Sequence, residues 1–214
     1  MKRIIELFSG MEENKKRDLA EAVFHGMLVS NLARRLAREL GLPEDRCYTM
    51  AVAGMVHDVG KLQVNKYLYG GPDRLDIEQM RYTRTHPTFG FLHLMEEGYD
   101  PVVLEAVLHH HENYDGSGYP DNLAGEEIPY EARILRVCDV FAALVSDRAY
   151  RKAFDAETAM DLMIDEIKNF DMEIFLAFQR IVADESFCEI KEMVRDANEV
   201  YATFAEDDPG EDLE

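Results

Sequence analysis

The sequence lacks tryptophan and, among its 214 residues, has only three cysteines, 13 glycines and seven prolines. Cys47, Cys138 and Cys188 are odd in number and widely spaced, which argues against a disulfide framework or a zinc finger and favours a reducing cytoplasm. No apolar run approaches membrane-spanning length, and Glu6 soon interrupts the N-terminal one. We therefore expect a cytoplasmic protein with no signal peptide and no membrane contact.

Basic residues are also scarce. The chain has 23 lysines and arginines but 43 aspartates and glutamates, which gives a formal net charge of -20. A field of that sign repels polyanions, so we expect no binding to duplex nucleic acid. A small phosphodiester ligand remains compatible, since metal cations in a pocket would reverse the local sign. Most of the individual acids are expected to lie on solvated helix faces.

The pattern that is present is helical. Leu, Ala, Glu, Met and Arg dominate, and the alternation of β-branched residues that marks strands is hard to find. Helices are predicted over residues 12–40, 44–58, 76–97, 101–110 and 130–146, with a break near His86-Pro87 and two or three more between residues 155 and 204. Residues 115–129 are predicted to form an ordered loop. The fold class is therefore all-α.

We expect a single helical bundle with the functional site in its core, and no separate sensor domain before residue 12. The predicted organisation has four parts. They are an N-terminal helical extension (1–20), the main domain (21–180), a C-terminal helix (181–204) and an acidic disordered tail (205–214).

Histidine occurs only seven times, and four of the seven lie in two short polar segments, HDVGK at 57–61 and HHHENYDGSGYP at 109–120. Neutral imidazole together with carboxylate suits divalent transition metals.

Two carboxylates outside these segments are further candidate ligands. Glu21 lies four residues before His25 on a helix face continued by leucines, although these two residues alone favour an ordinary core ion pair. Asp139 lies within an almost wholly apolar helix, where a carboxylate is costly unless it is paired or coordinated.

Taken together, the candidate ligands suggest a cage for two or three metal ions, whereas His93 and His109 are expected not to be ligands. The candidates are Glu21, His25, His57, Asp58, His86, His110, His111 and Asp139.

The order and spacing of these motifs resemble the HD-GYP family, the subgroup of HD-domain phosphohydrolases that hydrolyses cyclic di-GMP. The matching segments are HDVGK at 57–61, HPTFG at 86–90, HHE at 110–112, DGSGYP at 115–120, IP at 128–129, ARI at 132–134, VCDVF at 137–141 and DRAYR at 147–151. The resemblance implies an all-helical domain over residues 21–180. It also implies bound iron or manganese, with zinc, nickel, cobalt or magnesium as further candidates, and hydrolysis to pGpG, GMP or both by a hydroxide between two metals.

The resemblance also implies a role for each candidate. The ligands of one metal are His25, His57, Asp58 and Asp139, with Asp58 bridging to a second metal held by His86, His110 and His111; Glu21 resembles a ligand of a third. The phosphate-contacting cations are Lys61, Arg148 and Arg151. Lys61 is also a candidate for protonating the leaving oxygen. Tyr119 is expected to shape the substrate mouth, although a packed tyrosine in a rigid turn explains it equally well.

Several positions depart from the family pattern near the pocket rim. Ala142 replaces the aspartate of Asp-Ala-Leu, Ala149 replaces a proline, and neither Ile-Pro nor Lys-Pro-Gly follows Lys61. Two alternatives therefore remain open. One is hydrolysis of another nucleotide such as cyclic GMP-AMP, and the other is a catalytically weak module that senses cyclic di-GMP or docks a diguanylate cyclase domain.

Overall fold

The computed structural model describes residues 13–62, 81–147, 151–184 and 187–206. These ranges contain the helices α1 (Glu13–Glu39), α2 (Glu44–Val56), α3 (His86–Glu96), α4 (Pro101–His109), α5 (Tyr130–Val145), α6 (Ala156–Asp165), α7 (Met172–Ala183) and α8 (Cys188–Glu206). Two short 3₁₀ turns, Gly125–Glu127 and Ile167–Asn169, lie between them. The predicted all-α class is confirmed. None of the described helices combines the length and apolar character that crossing a membrane requires.

Helix boundaries follow the local signals in the sequence. Asp100 caps α4 by accepting a 2.8 Å hydrogen bond from the backbone N–H of Val102, and Pro101 occupies the first helical position. Gly41, with φ of +76°, follows the end of α1 in the left-handed conformation that suits glycine. The break predicted near Pro87 is the start of α3. Because α1 crosses the proposed boundary between residues 20 and 21, and residues 1–12 and 207–214 lie outside the described ranges, the four-part division stays a prediction.

Helix α1 forms the centre of the bundle and packs against α2, α5, α7 and α8. Its apolar face buries Leu28, Leu32 and Leu36 completely or nearly so. In the same core, the ring of Phe141 in α5 meets that of Phe178 in α7 edge-on, with centroids 5.1 Å apart. Truncating a leucine in such a core typically costs about 2–5 kcal/mol.

Close backbone contacts bring the ends of α2 and α3 together. A Cβ atom at Gly60 would lie only 2.0 Å from the carbonyl oxygen of His86 and 2.6 Å from the backbone nitrogen of Gly90. The turn after α2 therefore reaches the first turn of α3 because residue 60 has no side chain. This contact places the two polar segments that surround residues 57 and 86 beside each other.

Candidate metal centre

Five parts of the bundle contribute polar side chains to one buried cluster. It contains His25 from α1, His57 and Asp58 from the turn after α2, His86 from the start of α3, His110 and His111 from the end of α4, and Asp139 from α5. Each of these residues was predicted as a ligand from the sequence. Glu21 lies in α1, but its side chain is outside the part of the structure that is described.

The first half of the cluster is built around the carboxylate of Asp139. Its Oδ1 lies 2.9 Å from Nε2 of His25 and 3.5 Å from Nε2 of His57. Oδ2 of Asp58 completes the group, at 3.4 Å from Nε2 of His57 and 3.9 Å from Nε2 of His25. Two imidazoles and two carboxylates therefore converge on one small volume.

The second half of the cluster uses the other oxygen of the same aspartate. Oδ1 of Asp58 lies 3.1 Å from Nε2 of His86 and 3.8 Å from Nε2 of His110. These two nitrogens are 3.3 Å apart, and the ring centroid of His111 lies 4.1 Å from that of His110. The carboxylate of Asp58 thus faces both halves, one oxygen to each.

Backbone carbonyls fix the orientation of three of the histidines. Each uses Nδ1–H to donate to the carbonyl three residues earlier in the chain, which directs Nε2 into the cluster. The pairs are His57 with Gly54 at 2.8 Å, His86 with Thr83 at 2.8 Å and His110 with Val107 at 2.7 Å. This arrangement is typical of histidines that bind a metal through Nε2.

Burial keeps most of the imidazoles neutral. Desolvation lowers the pKa of His25, of His110 and of His111, the last to about 3. His57 behaves differently, because burial acts to lower its pKa but the charges of Asp58 and Asp139 outweigh that effect and raise it to about 10. Neutral imidazole is the form that coordinates a metal, and a proton on His57 is what a metal cation would replace.

The two aspartates are ionised although both are nearly enclosed. Burial acts to raise the pKa of Asp58, but the charges of Lys61 and His57 hold it well below its ordinary value. For Asp139, the hydrogen bond from His25 and the charge of His57 likewise overcome the effect of burial and hold the pKa low. The cluster therefore presents two carboxylates and several neutral nitrogens at neutral pH.

The donor set fits divalent metal ions. Among the described residues, the buried atoms Nε2 of His57 and Oδ1 of Asp58 have no hydrogen-bond partner, although both point into the cluster. Buried polar atoms are rarely left unpaired, and a metal ion supplies the missing partner. Nitrogen and carboxylate oxygen suit iron, manganese or zinc, and the shared aspartate suits two ions side by side.

Of the predicted substrate-contacting residues, Lys61 and Tyr119 lie at the cluster. Nζ of Lys61 is 2.5 Å from Oδ2 of Asp58. The ring of Tyr119 stacks on His111 with centroids 4.7 Å apart, and burial raises the pKa of its phenol. The loop carrying Tyr119 packs tightly, since a Cβ at Gly118 would lie 2.3 Å from the backbone nitrogen of Asn113.

Arg151 has other partners in the structure. Its guanidinium donates hydrogen bonds to the carbonyls of Ala143 and Leu144 near the end of α5, at 2.8 and 3.1 Å, and lies over the ring of Phe154. Arg148 lies outside the described residues. The phosphate-binding roles of both arginines stay predictions.

Sequence reasoning missed two arginines at the cluster. Nη1 of Arg136 lies 3.4 Å from Nδ1 of His111, and Nε of Arg136 donates to the side-chain carbonyl of Asn113 at 3.0 Å. The guanidinium of Arg84 lies 5.3 Å from the centroid of the Tyr119 ring. Arg136 left a usable signal, because it precedes Asp139 by three residues and so shares its helix face. We recognise no signal in the sequence that would have identified Arg84.

Comparison with known proteins finds relatives that are named as phosphodiesterases of cyclic dinucleotides. The chain is 37% identical over 159 residues, which are 74% of this chain and 38% of the relative, to a cyclic di-GMP phosphodiesterase of Pseudomonas aeruginosa. It is 33% identical over 153 residues, 71% of this chain and 36% of the relative, to 3′3′-cGAMP-specific phosphodiesterase 1 of Vibrio cholerae. The chain thus spans less than two thirds of the length of these relatives.

A solved structure shares the fold. An HDG"Y"P protein from Bdellovibrio bacteriovorus superimposes with a TM-score of 0.63 and 22% identity, covering 76% of this chain and 53% of that one. The family model described as "HD domain" matches residues 2–174, a range that contains every residue of the cluster. The chain therefore belongs to the HD-domain family.

Proposed function

We propose that this chain is a metal-dependent phosphodiesterase of the HD-GYP type that hydrolyses cyclic di-GMP to pGpG, GMP or both. The observation that carries the proposal is the position of Asp58, whose two carboxylate oxygens face two separate groups of imidazoles. Such a shared carboxylate is typical of centres that hold two metal ions close together. The substrate is suggested by the relatives named as phosphodiesterases of cyclic di-GMP and 3′3′-cGAMP.

The proposed ligand assignment follows the two halves of the cluster. One ion would be held by His25, His57, Asp58 and Asp139, and the other by Asp58, His86, His110 and His111. Iron or manganese is our first choice. Glu21, by its place in the sequence, is proposed as a ligand of a third ion.

Bound ions would acidify a water molecule and neutralise charge on the phosphate. The protein supplies the rest of the chemistry. The carbonyls that accept from His57, His86 and His110 hold the nitrogen ligands in place without movement. Lys61 stabilises the phosphate or protonates the leaving 3′-oxygen. Arg148, Arg151 and Tyr119 are proposed to contact the substrate, and cytoplasmic location stays a prediction.

A cyclic GMP-AMP phosphodiesterase is the second candidate, favoured by the similarity to the Vibrio cholerae enzyme of that name. A third reading is a weak enzyme that mainly docks another protein, such as a diguanylate cyclase domain. Its argument is the departure from the family pattern at Ala142 and Ala149. The complete set of buried donors argues against it, since a docking module does not need them.

Elemental analysis of anaerobically purified protein, combined with hydrolysis assays on the same sample, tests the proposal. We expect two or three equivalents of iron or manganese and conversion of cyclic di-GMP to pGpG or GMP. The variant Asp58→Ala should lose more than about 100-fold in turnover, because loss of a ligand is more severe than loss of its supporting hydrogen bond. Asp165→Ala, an exposed position on α6, is the control.

Three other outcomes would favour a different explanation or contradict the proposal. Faster turnover of cyclic GMP-AMP than of cyclic di-GMP would select the second candidate. A metal-loaded protein that turns over neither nucleotide would favour the docking module. No stoichiometric metal, even after reconstitution, would contradict the central proposal.

A further inference from the structure

A second group of ligand-type side chains lies beside the main cluster and shares no residue with it. It consists of His109 at the end of α4, Glu112 in the turn that follows, and Asp121 after the Gly118-Tyr119-Pro120 loop. His109 and His110 are adjacent near the end of a helix, where successive side chains point about 100° apart. One therefore faces the main cluster and the other faces this second group.

Two members of the group are buried with unpaired polar atoms. His109 is 6% exposed and Glu112 is 1% exposed. Within the described part of the chain, Nδ1 of His109 and Oε2 of Glu112 have no hydrogen-bond partner. Leaving a buried donor or acceptor unsatisfied costs about 1–3 kcal/mol, and more for a charged carboxylate, so an absent partner is the natural explanation.

The separations between these atoms indicate what the partner is. Nδ1 of His109 lies 3.9 Å from Oε1 of Glu112 and 3.8 Å from Oδ2 of Asp121. Both distances are too long for a direct hydrogen bond. Two atoms that bind the same transition-metal ion at about 2.1 Å can be at most roughly 4.2 Å apart. Both distances are within that limit.

We propose that His109, Glu112 and Asp121 form a divalent transition-metal site, separate from the proposed dinuclear centre. One imidazole and two carboxylates suit zinc, manganese or iron(II). The side chain of Asp121 is 58% exposed, which gives an ion access from solvent and leaves room for water as a further ligand. On the far side of the ring, Oε2 of Glu105 lies 3.5 Å from Nε2 of His109. Metal-binding histidines commonly have a carboxylate on this side of the ring, which orients the imidazole.

The site has a clear structural consequence. Oε1 of Glu112 already accepts a 2.7 Å hydrogen bond from the backbone N–H of Asp121, which ties the loop to the end of α4. An ion held by the side chains of Glu112 and Asp121 would strengthen that tie. Tyr119, two residues before Asp121, stacks on His111 of the main cluster. The ion would thus hold in place the loop that covers one side of the candidate active site.

The competing explanation is an ion-pair group without metal, in which His109 lies among the carboxylates of Glu105, Glu112 and Asp121. Direct measurement of zinc binding separates the two explanations. Asp121→Asn is the preferred variant because the side chain is exposed and its removal leaves the core intact. His109→Gln removes the nitrogen ligand, and Glu126→Gln, an exposed acid in the same loop, is the matched control.

The 214-residue chain carrying Asp58→Ala, which weakens the proposed dinuclear centre, is titrated with Zn²⁺ alone by isothermal titration calorimetry. Bound zinc is then counted by elemental analysis after gel filtration. We expect one remaining site whose affinity falls at least 10-fold with Asp121→Asn and with His109→Gln, but is unchanged by Glu126→Gln. When either substitution is made in the chain that keeps Asp58, the protein should lose one equivalent of bound zinc.

Equal zinc binding in all of these variants would overturn the proposal and favour the ion-pair group. Circular dichroism of each variant identifies any that fails to fold, and the exposed Asp121→Asn then decides alone. The result does not depend on the proposed activity, because zinc content and affinity are measured without a nucleotide.

Discussion

The ammonium nitrogen of Lys61 lies 2.5 Å from Oδ2 of Asp58, one turn earlier in the chain. The lysine side chain is 39% exposed, whereas that of Asp58 is only 13% exposed. Lys61 therefore reaches from the solvent side toward the carboxylate that the two halves of the cluster share. Its charge helps to keep Asp58 ionised, and its position suits contact with a phosphate that approaches the cluster from outside.

Replacing Lys61 by methionine keeps the length of the side chain and removes its charge. We expect kcat for cyclic di-GMP to fall about 10²–10³-fold, the usual loss when one group that stabilises transition-state charge is removed. Metal content should stay at the wild-type level, because Lys61 is not proposed as a ligand. Steady-state kinetics and elemental analysis on one preparation check both statements.

Lys168→Met is the control for Lys61→Met, since it removes an exposed lysine whose contact is Asp115 at 3.5 Å. It should leave kcat unchanged. A parallel loss of metal and activity in Lys61→Met would contradict the proposed role and show that Lys61 mainly supports the centre.

Asparagine substitutions of the two aspartates should have unequal effects on metal content. Oδ1 of Asp139 lies within 3.5 Å of Nε2 of His25 and of His57, whereas the two oxygens of Asp58 face the two halves of the cluster. Asp139→Asn should therefore lose about one metal equivalent and Asp58→Asn should lose more, as measured by elemental analysis after dialysis. Asp165→Asn is the neutral control. Equal losses from the two substitutions would argue against a carboxylate shared between two ions.

The contrast between these aspartates shows how far the sequence could go. Asp139 was detectable because it is a carboxylate within an apolar helix, and Asp58 was detectable through its neighbours in a motif. The sequence could not reveal that His25 and Asp139, which are 114 positions apart, share a 2.9 Å contact, because that distance depends on how α1 packs against α5. Local patterns identify the candidates, and tertiary packing decides their partners.

Histidines 109 to 111 illustrate the same limit. The sequence favoured His110 and His111 over His109 as ligands, and the structure places the first two at the main cluster and His109 beside Glu112 and Asp121. That second group could not be predicted, since Asp121 reaches it only through the path of the loop after Gly118. Arg136 was overlooked for a related reason, because its contact with Asn113 crosses from α5 to the turn after α4.

Gly60 offers a test of the backbone contact that joins the two polar segments. A Cβ atom there would meet the backbone of His86 and Gly90, neither of which can move freely, so Gly60→Ala should destabilise the protein by about 3 kcal/mol. Gly90→Ala is the matched control. Its Cβ would lie 3.2 Å from Cγ1 of Val107, a side chain that can shift, and a loss of about 1 kcal/mol is expected.

Urea unfolding of the metal-free proteins measures both glycine substitutions without interference from ligand binding. The order of the two free-energy losses is the decisive result. If Gly60→Ala were as stable as Gly90→Ala, the turn after α2 would not lie against α3 as closely as the structure shows.

Arg136 should act as a positioning residue for the second half of the cluster. Nε of Arg136 donates to the side-chain carbonyl of Asn113, in the turn that carries His111, and the planar guanidinium gives this bond a fixed direction that a lysine ammonium lacks. Arg136→Ala should therefore weaken metal binding about 10–100-fold, as loss of a supporting hydrogen bond usually does, and Arg136→Lys should restore little of it.

Competition with a metal-binding dye measures the affinity of each Arg136 variant, and the exposed substitution Arg81→Ala controls for the loss of a positive charge. The lost hydrogen bond to Asn113 should also lower the free energy of unfolding by about 1 kcal/mol. If Arg136 had only a structural role, the free energy of unfolding would fall by this amount and the metal affinity would not change. Weaker binding in both Arg136→Ala and Arg136→Lys, with normal binding in Arg81→Ala, distinguishes orientation of His111 from a general effect on stability or charge.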